Sequence, residues 1–463
     1  MDDDTATRRA TSSISALPPE TLVEIFDVCR IRHHYDDLDL DALTVRAGPP
    51  TVTAVCANWR RLAIASPSLW TDVHLNIYSP AVLPDAAPLL ETFLSRSMNL
   101  PLHVCITLRR SIVWEEQEVL PLRLLVEQSM RWASLEACVD IFLCRSLIPI
   151  YGRLPILRTV RFKTLTKCDN VEWAPFRDIF SDCPMLINFD GESDSPFLLP
   201  WEQLQRLKLR LSIPTEAAER ATRVRALSLT WYSSDSHTPD VNDILHRPHL
   251  QKATLEFHLL RRIRAPLLSE CHIDDIVGLH AMRPQRIQDV ADYIRANCNS
   301  ITTLSLRPSP VDPEALQALL MKCPALRRLQ LEILTNYEAS DEDDARVHTR
   351  MTKALTVCAG EVPLLPALVD LRVIMRSVRS AESVSGYEQV LRSRTLPHDG
   401  VAALQSFTLK VQAGLGPQLA DVLARLSRFN SEGCHAGCGP KVDIEEGVSY
   451  WKLENTWDRW TEV

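Results

Sequence analysis

Apolar residues along this chain recur in two rhythms, and the change between them falls near residue 72. Leu17 to Cys29 reads Leu-Pro-Pro-Glu-Thr-Leu-Val-Glu-Ile-Phe-Asp-Val-Cys. Leu22, Ile25, Phe26 and Cys29 fall at i, i+3, i+4 and i+7, which draws one apolar stripe along a helix. Pro18 and Pro19 suit a first helical turn, where no intrahelical N–H bond is lost, and Glu20 meets the positive end of the helix dipole. Val52 to Ala63 repeats the pattern, with Val52, Val55, Trp59 and Leu62 on one side and Asn58, Arg60 and Arg61 on the other. Ser66-Pro-Ser-Leu-Trp70 closes the stretch with a turn. About fifty residues are marginal as a core of their own, so this segment is expected to rest on the chain beyond it.

Past Trp70 the period drops to two. Asp72 to Ile77 alternates, Leu89 to Met98 returns to a helical pattern, and Leu102, Val104, Ile106 and Leu108 alternate again, as a half-buried strand does. A Leu-x-x-Leu-x-Leu-like triplet then recurs nine times. It stands at Leu157, Val160, Phe162; Leu204, Leu207, Leu209; Val224, Leu227, Leu229; Leu250, Ala253, Leu255; and Leu268, Cys271, Ile273. It continues at Ile301, Leu304, Leu306; Leu326, Leu329, Leu331; Leu368, Leu371, Val373; and Leu404, Phe407, Leu409. Degenerate copies sit at Leu135 and Leu186, and helical stretches such as Pro313 to Cys323 and Arg286 to Cys298 fill several intervals. Two of the helical stretches end in Cys-Pro-x-Leu, at Cys183 and Cys323, where proline stops a helix.

One strand plus a returning helix cannot bury its apolar face until a neighbour stacks on it, which is the logic of the leucine-rich repeat. The chain resembles that family, irregularly: first-leucine spacings run from 18 to 42 residues, against about 20 to 29 in regular repeats. The expected fold is α/β, an N-terminal helical segment followed by an irregular leucine-rich-repeat-like solenoid with parallel strands on the concave side and helices outside. An ordinary parallel α/β sheet with leucine-rich strands is the competing architecture. The expected organisation is a disordered tail over 1–15, the helical domain over 16–75, connecting strands and helices over 76–150, irregular repeats over 151–430 and a C-terminal cap over 431–463.

The N-terminal trio carries a second resemblance. Leu-Pro-Pro-Glu-x-Leu-x-x-Ile-Phe, Val-Cys-x-x-Trp-Arg-x-Leu-Ala and Ser-Pro-x-Leu-Trp, in that order, resemble the F-box in its divergent fungal form. The resemblance implies docking on a Skp-type adaptor, and through it a cullin-based (SCF) ubiquitin ligase, with the rest of the chain holding a target protein. It implies adaptor binding by Leu17, Pro18, Leu22, Ile25, Phe26, Val55, Trp59, Leu62, Leu69 and Trp70. The long stretch from Arg30 to Thr51 departs from the compact family pattern. The alternative is a repeat scaffold whose F-box-like hairpin is only an N-terminal cap.

Charge and composition narrow the function further. A formal net charge of −8 and a pI near 5.9 argue against general nucleic-acid binding, which needs a basic footprint. Thirteen cysteines without regular spacing, with no secretory leader in the polar Met1 to Ser15, fit a reducing compartment, cytoplasmic or nuclear. No apolar run approaches the roughly eighteen residues of a membrane span, so no membrane partner is expected. Phosphate-binding Gly-rich motifs and His-Glu-x-x-His are absent, so the expectation is a protein without catalysis, metal or cofactor.

If the triplets are strands, the residues between them line the opposite face. In the early repeats these are basic: Thr159, Arg161 and Lys163, then Arg206, Lys208 and Arg210. Arg161, Lys163, Arg206, Lys208 and Arg210 are therefore candidate receivers of an acidic or phosphorylated target segment, because guanidinium offers paired donors to carboxylate or phosphate; a solvated face with its counter-ions nearby is the competing explanation. Later repeats contribute Ser305 and Arg307; Gln330 and Glu332; Arg372 and Ile374; and Thr408 and Lys410. The acidic stretch Tyr337 to Arg346, with Ser340 as a possible phosphorylation point, and the Ser/Arg-rich Ser377 to Pro397 are expected to be loops. His33, His34 and their neighbouring aspartates read as a solvated loop, and Cys434, His435 and Cys438 lack further ligands at zinc spacing. Tyr450, Trp451, Trp457 and Trp460 are expected to cap the open end of the repeats.

Overall fold

A computed structural model describes residues 14, 17–28, 49–77, 83–108, 120–139, 141–164, 176–191, 197–211, 220–231, 245–256, 263–274, 290, 292–294, 300–307, 313–333, 341–358, 363–375, 382–395, 401–411, 417–429 and 440–446. The His33 to Asp41 cluster, Tyr337 to Ser340, the Cys434 to Cys438 group and the four terminal aromatics lie outside the described residues. The chain divides into two compact units, Met1–Pro200 and Trp201–Val463.

The first unit begins with three short helices, α1 (Pro19–Val28), α2 (Pro49–Val55) and α3 (Ala57–Ile64), and the 3-10 turn Pro67–Trp70. Parallel strands come next in sequence order: β1 (Asp72–Ile77), β2 (Leu102–Leu108), β3 (Trp132–Val139), β4 (Thr159–Thr164) and β5 (Asn188–Gly191). Helix α4 (Leu83–Arg96) returns between β1 and β2, and α5 (Leu120–Glu127) between β2 and β3. Between β3 and β4 the return is a 3-10 stretch, Ile141–Ile150, that buries Cys144, Leu147 and Ile150. That spacing of three is the period of a 3-10 helix. Repeat packing therefore begins at β1, well before residue 151, because the strands over 72–139 pair in parallel, each with its successor, as those after them do.

The second unit is built in the same way. Its strands β6 (Arg206–Leu211) and β7 (Ala226–Trp231) are followed by a two-residue β8 (Leu245–His246), by β9 (Lys252–Leu255), and by a two-residue β10 (Ile263–Arg264) that pairs with β8. The run continues with β11 (Glu270–Asp274), β12 (Thr303–Arg307), β13 (Arg328–Ile333), β14 (Asp370–Met375), β15 (Ser406–Val411) and β16 (Lys441–Glu446). Apart from β8 and β10, these strands pair in parallel, each with its successor. Returning helices are α6 (Pro313–Leu320), α7 (Asp341–Leu355), α8 (Glu382–Arg394) and α9 (Pro417–Ser427). Strand β16 extends the repeats into the stretch expected to be a cap.

Each unit is thus an α/β, irregular leucine-rich-repeat-like stack of parallel strands, the first opening with a helical N-terminal segment. All nine triplets fall where they must: the first residue just ahead of a strand, the other two within it, and every member no more than 4% exposed. A second regularity fixes the entry to many strands. Leu154-Pro-Ile-Leu157, Cys183-Pro-Met-Leu186, Arg247-Pro-His-Leu250, Ala265-Pro-Leu-Leu268, Cys323-Pro-Ala-Leu326 and Leu365-Pro-Ala-Leu368 each close with a hydrogen bond from the last N–H to the first carbonyl, 3.1–3.4 Å long. Proline at the second position of such a turn has its φ already set and gives up no needed donor. The first triplet leucine is the residue that this turn delivers into the core.

Two expected loops are corrected. From Asp341 onward the acidic stretch is the start of α7, and Glu382–Arg394 within the Ser/Arg-rich stretch is α8. Their buried residues, His348, Met351, Thr352 and Leu355 on one and Val384, Tyr387, Val390, Leu391 and Arg394 on the other, keep helical spacing. The two helices pack side by side with Gly386 against Thr352, where a Cβ would overlap the threonine side chain.

Candidate interaction surfaces

The N-terminal helices meet around a small core of Leu22, Phe26, Val52, Ala63, Leu69 and Trp70. Phe26 stacks obliquely on Trp59, ring centres 4.8 Å apart. The Trp70 indole N–H donates to the Ala63 carbonyl at 2.8 Å, its ring meets Phe93 of α4 edge-on at 5.0 Å, and the Arg96 guanidinium lies 4.4 Å over it. Trp70 is thus the pin that seats the helices on the first repeat, which supplies the support that so small a segment needs. Cys56 caps α3 through a contact from the Trp59 N–H to its sulfur.

The structure divides the ten residues of the F-box-like set. Leu22, Phe26, Leu69 and Trp70 are about 1% exposed and spend their surface inside the chain. Leu17, Ile25, Trp59 and Leu62 are half-buried, Pro18 is exposed and Val55 is 58% exposed. Two apolar neighbours missing from the set are also outside: Val28 at 85% and Ile64 at 41%. Both continue the helical pattern of α1 and α3, and only burial separates an outward from an inward position on so short a helix.

The sheet face opposite the leucines is polar in both units. In the first unit, register aligns His74, Cys105, Glu136, Arg161 and Asp190 in one row across β1 to β5. Arg161 donates from Nη1 to Glu136 and its Nε forms an ion pair with Asp190, both at 3.3 Å. Its guanidinium is therefore already held between two carboxylates of its own sheet, which weakens its expected role as an anion receiver. Glu136 and Asp190 escape notice in the sequence because they sit on the two degenerate repeats. Burial, then Glu136, pushes the Cys105 thiol up to about 12, so it stays protonated at neutral pH and is no nucleophile.

In the second unit the candidates divide again. Arg206 is exposed, Lys208 is half-buried and Arg210 is paired by backbone register with Thr230. Lys163, in the first unit, is half-buried on β4. Further along the second unit, Ser305, Arg307, Gln330, Glu332, Ile374, Thr408 and Lys410 are all buried. Arg307 Nε reaches Glu332 at 3.2 Å with both side chains under 10% exposed, a pairing that offsets part of the cost of taking those charges out of water. His272, in the same face, is held neutral: burial first, and Lys252 second, lower its pKa to about 4. Among the described residues no group of three His, Cys, Asp or Glu could hold a metal ion, and no helix is long and apolar enough to cross a membrane.

Comparison with known proteins adds little beyond this. No family model and no curated protein matches the sequence. Among solved structures, the leucine-rich repeat-containing protein LegL7 from Legionella pneumophila is similar at 11% identity and a TM-score of 0.34, covering 77% of this chain and 97% of that one. The fold assignment rests on the strand order, register and buried triplets described above.

Proposed function

We propose that this chain is a receptor subunit without chemistry of its own. In this reading the N-terminal helices dock on a Skp-type adaptor, and through it on a cullin ubiquitin ligase of the cytoplasm or nucleus, while the repeats hold a target protein. The contribution to ubiquitin transfer is proximity, since tethering raises the local concentration of target lysines near the ubiquitin carrier. The observation that supports the reading is the division of the N-terminal apolar residues. One group builds a core against the first repeat, while Val28, Val55 and Ile64 stay outside. A hairpin serving only as a cap would turn such residues onto its own chain, and exposed apolar surface on a packed domain marks an interaction site.

Co-purification with a Skp-type adaptor tests this. Wild-type protein should retain adaptor through gel filtration, whereas the double variant Leu17→Ala/Pro18→Ala and the single variant Val55→Glu should lose most of it, Val55→Glu with unchanged thermal melting because its side chain is exposed. Equal recovery of adaptor by all three proteins would rule out the receptor reading and leave the repeat scaffold with an N-terminal cap.

A further inference from the structure

The strand-entry edge of the Met1–Pro200 unit carries large apolar side chains that its core does not use. Leu100, Ile156 and Met185 each lie three residues ahead of a register-matched position, namely His103, Thr159 and Asn188. On β3, where the register shifts by one residue so that Leu102 pairs with Trp132, the place opposite Leu100 falls to Met130, with Arg131 beside it. Neighbouring strands are about 4.8 Å apart, so the apolar residues succeed one another across the edge as a row, and the exposures of Leu100, Met130, Ile156 and Met185 run from 36% to 50%. The 3-10 stretch leading into β4 widens it. Because Cys144, Leu147 and Ile150 face inward, Ile148 and Tyr151 face solvent, Tyr151 at 54% exposure.

The charge around this row has one sign at its centre. Residues 141–160 contain Arg145, Arg153 and Arg158 and neither aspartate nor glutamate. Arg145 and Arg158 are exposed. Arg153 is fixed by a 3.0 Å bond from Nη2 to the Glu127 carbonyl, and Arg131 is consumed by the Leu100 and Ser97 carbonyls, tying one repeat entry to the next. Acids stand at both ends: Glu127, paired with Arg123, on one side and the exposed Asp178 and Asp182 on the other.

We propose that this edge binds an acidic amphipathic helix of a partner protein, its apolar stripe laid on the row from Leu100 to Met185 and its carboxylates on Arg145 and Arg158. A spacing close to the strand repeat matches side chains three and four apart on a helix, about 5–6 Å, and laying such a stripe on an apolar surface is a recurring mode of recognition. A flat anionic membrane would press against Asp178 and Asp182, whereas a single helix passes between the acidic ends. The inference does not depend on adaptor docking, because it concerns other residues of the repeats.

The probe is a synthetic helical peptide with leucine along one face and glutamate along the other, titrated by fluorescence anisotropy against full-length protein. Wild type should bind it. The pairs Tyr151→Glu/Ile156→Glu and Arg145→Glu/Arg158→Glu should each weaken binding by about tenfold or more, as removal of interface anchors does, with unchanged melting by circular dichroism. A second peptide with glutamine in place of glutamate tests the charge on unaltered protein and should bind about tenfold more weakly. Failure of wild type to bind, wild-type affinity in both variant pairs, or equal affinity of the two peptides would each overturn the proposal. So would binding to phosphatidylserine-containing vesicles that the arginine variants abolish while the peptide fails to bind, because that result assigns the edge to a membrane.

Discussion

Arg394 shows what a single buried charge does in this molecule. It is fully buried, and its guanidinium donates from Nε to the Leu355 carbonyl at 2.9 Å, from Nη1 to Leu365 at 3.1 Å and from Nη2 to Leu364 at 2.6 Å. Burial lowers its pKa to about 10, which still leaves it charged at neutral pH. The three carbonyls come from the end of α7 and from the turn that enters β14, so one side chain ties the C-terminal end of a helix to the loop that leads into the next strand. Bonds from a charged donor are worth about 1.5–3 kcal/mol each, and buried acceptors left without partners add a penalty. Arg394→Met keeps most of the volume and none of the donors. It should lower the unfolding free energy by roughly 3 kcal/mol or more, measured by urea denaturation; a change under about 1 kcal/mol would mean that water replaces the guanidinium at those carbonyls.

At the level of elements, the pairing of α7 and α8 depends on the absence of a side chain. Gly386 lies where α8 crosses Thr352 of α7, and the threonine hydroxyl already bonds to the His348 carbonyl at 2.9 Å. Gly386→Ala would ordinarily favour a helix by about 1 kcal/mol, but here the methyl must push the helices apart. Overpacking of this kind costs about 1–3 kcal/mol, so the variant should melt below wild type in a thermal scan, whereas a gain would show that the helix pair is loose. These two helices are also where the sequence misleads. Asp341-Glu-Asp-Asp and the Ser/Arg-rich stretch have the composition of solvated loops, and of their apolar residues Met351, Leu355, Val384, Tyr387, Val390 and Leu391 mark the buried stripes. The strands are readable because each triplet repeats one constraint, two inward side chains two apart after an anchoring leucine. The proline turns at Cys183 and Cys323 are visible one by one. That they belong to a set of six becomes evident only when the hydrogen-bonded turns are aligned. Of the candidate surface, the N-terminal trio falls on the observed helices, yet the split between Leu22 or Phe26 inside and Val28 or Ile64 outside depends on helix crossings that no local pattern encodes. Arg161 reads as an available cation for the same reason, since its counter-ions Glu136 and Asp190 come from strands 25 and 29 residues away in sequence.

For the whole molecule, stacked repeats touch mainly their immediate neighbours, so stability is closer to a sum of local interfaces than to one global core. Leu329 on β13 is a central member of such a stack, 1% exposed, with β12 and β14 paired on either side of its strand. Replacing it by alanine removes buried methyl groups and leaves a cavity between two repeats, a change that costs about 2–5 kcal/mol in well-packed cores. In a cooperative globule every slowly exchanging amide would lose that protection equally. In a chain of local interfaces the loss concentrates near the cavity, because opening can stop at a repeat boundary. Native-state hydrogen exchange of Leu329→Ala should therefore show the largest loss of protection in β12, β13 and β14, with β1 to β4 close to wild type. A uniform loss across both compact units would instead show that the chain unfolds as one body. The same locality bears on function: a stack whose repeats are stabilised separately can vary the exposed residues of one repeat entry, such as those before β4, without disturbing the helices that Trp70 seats on the first repeat.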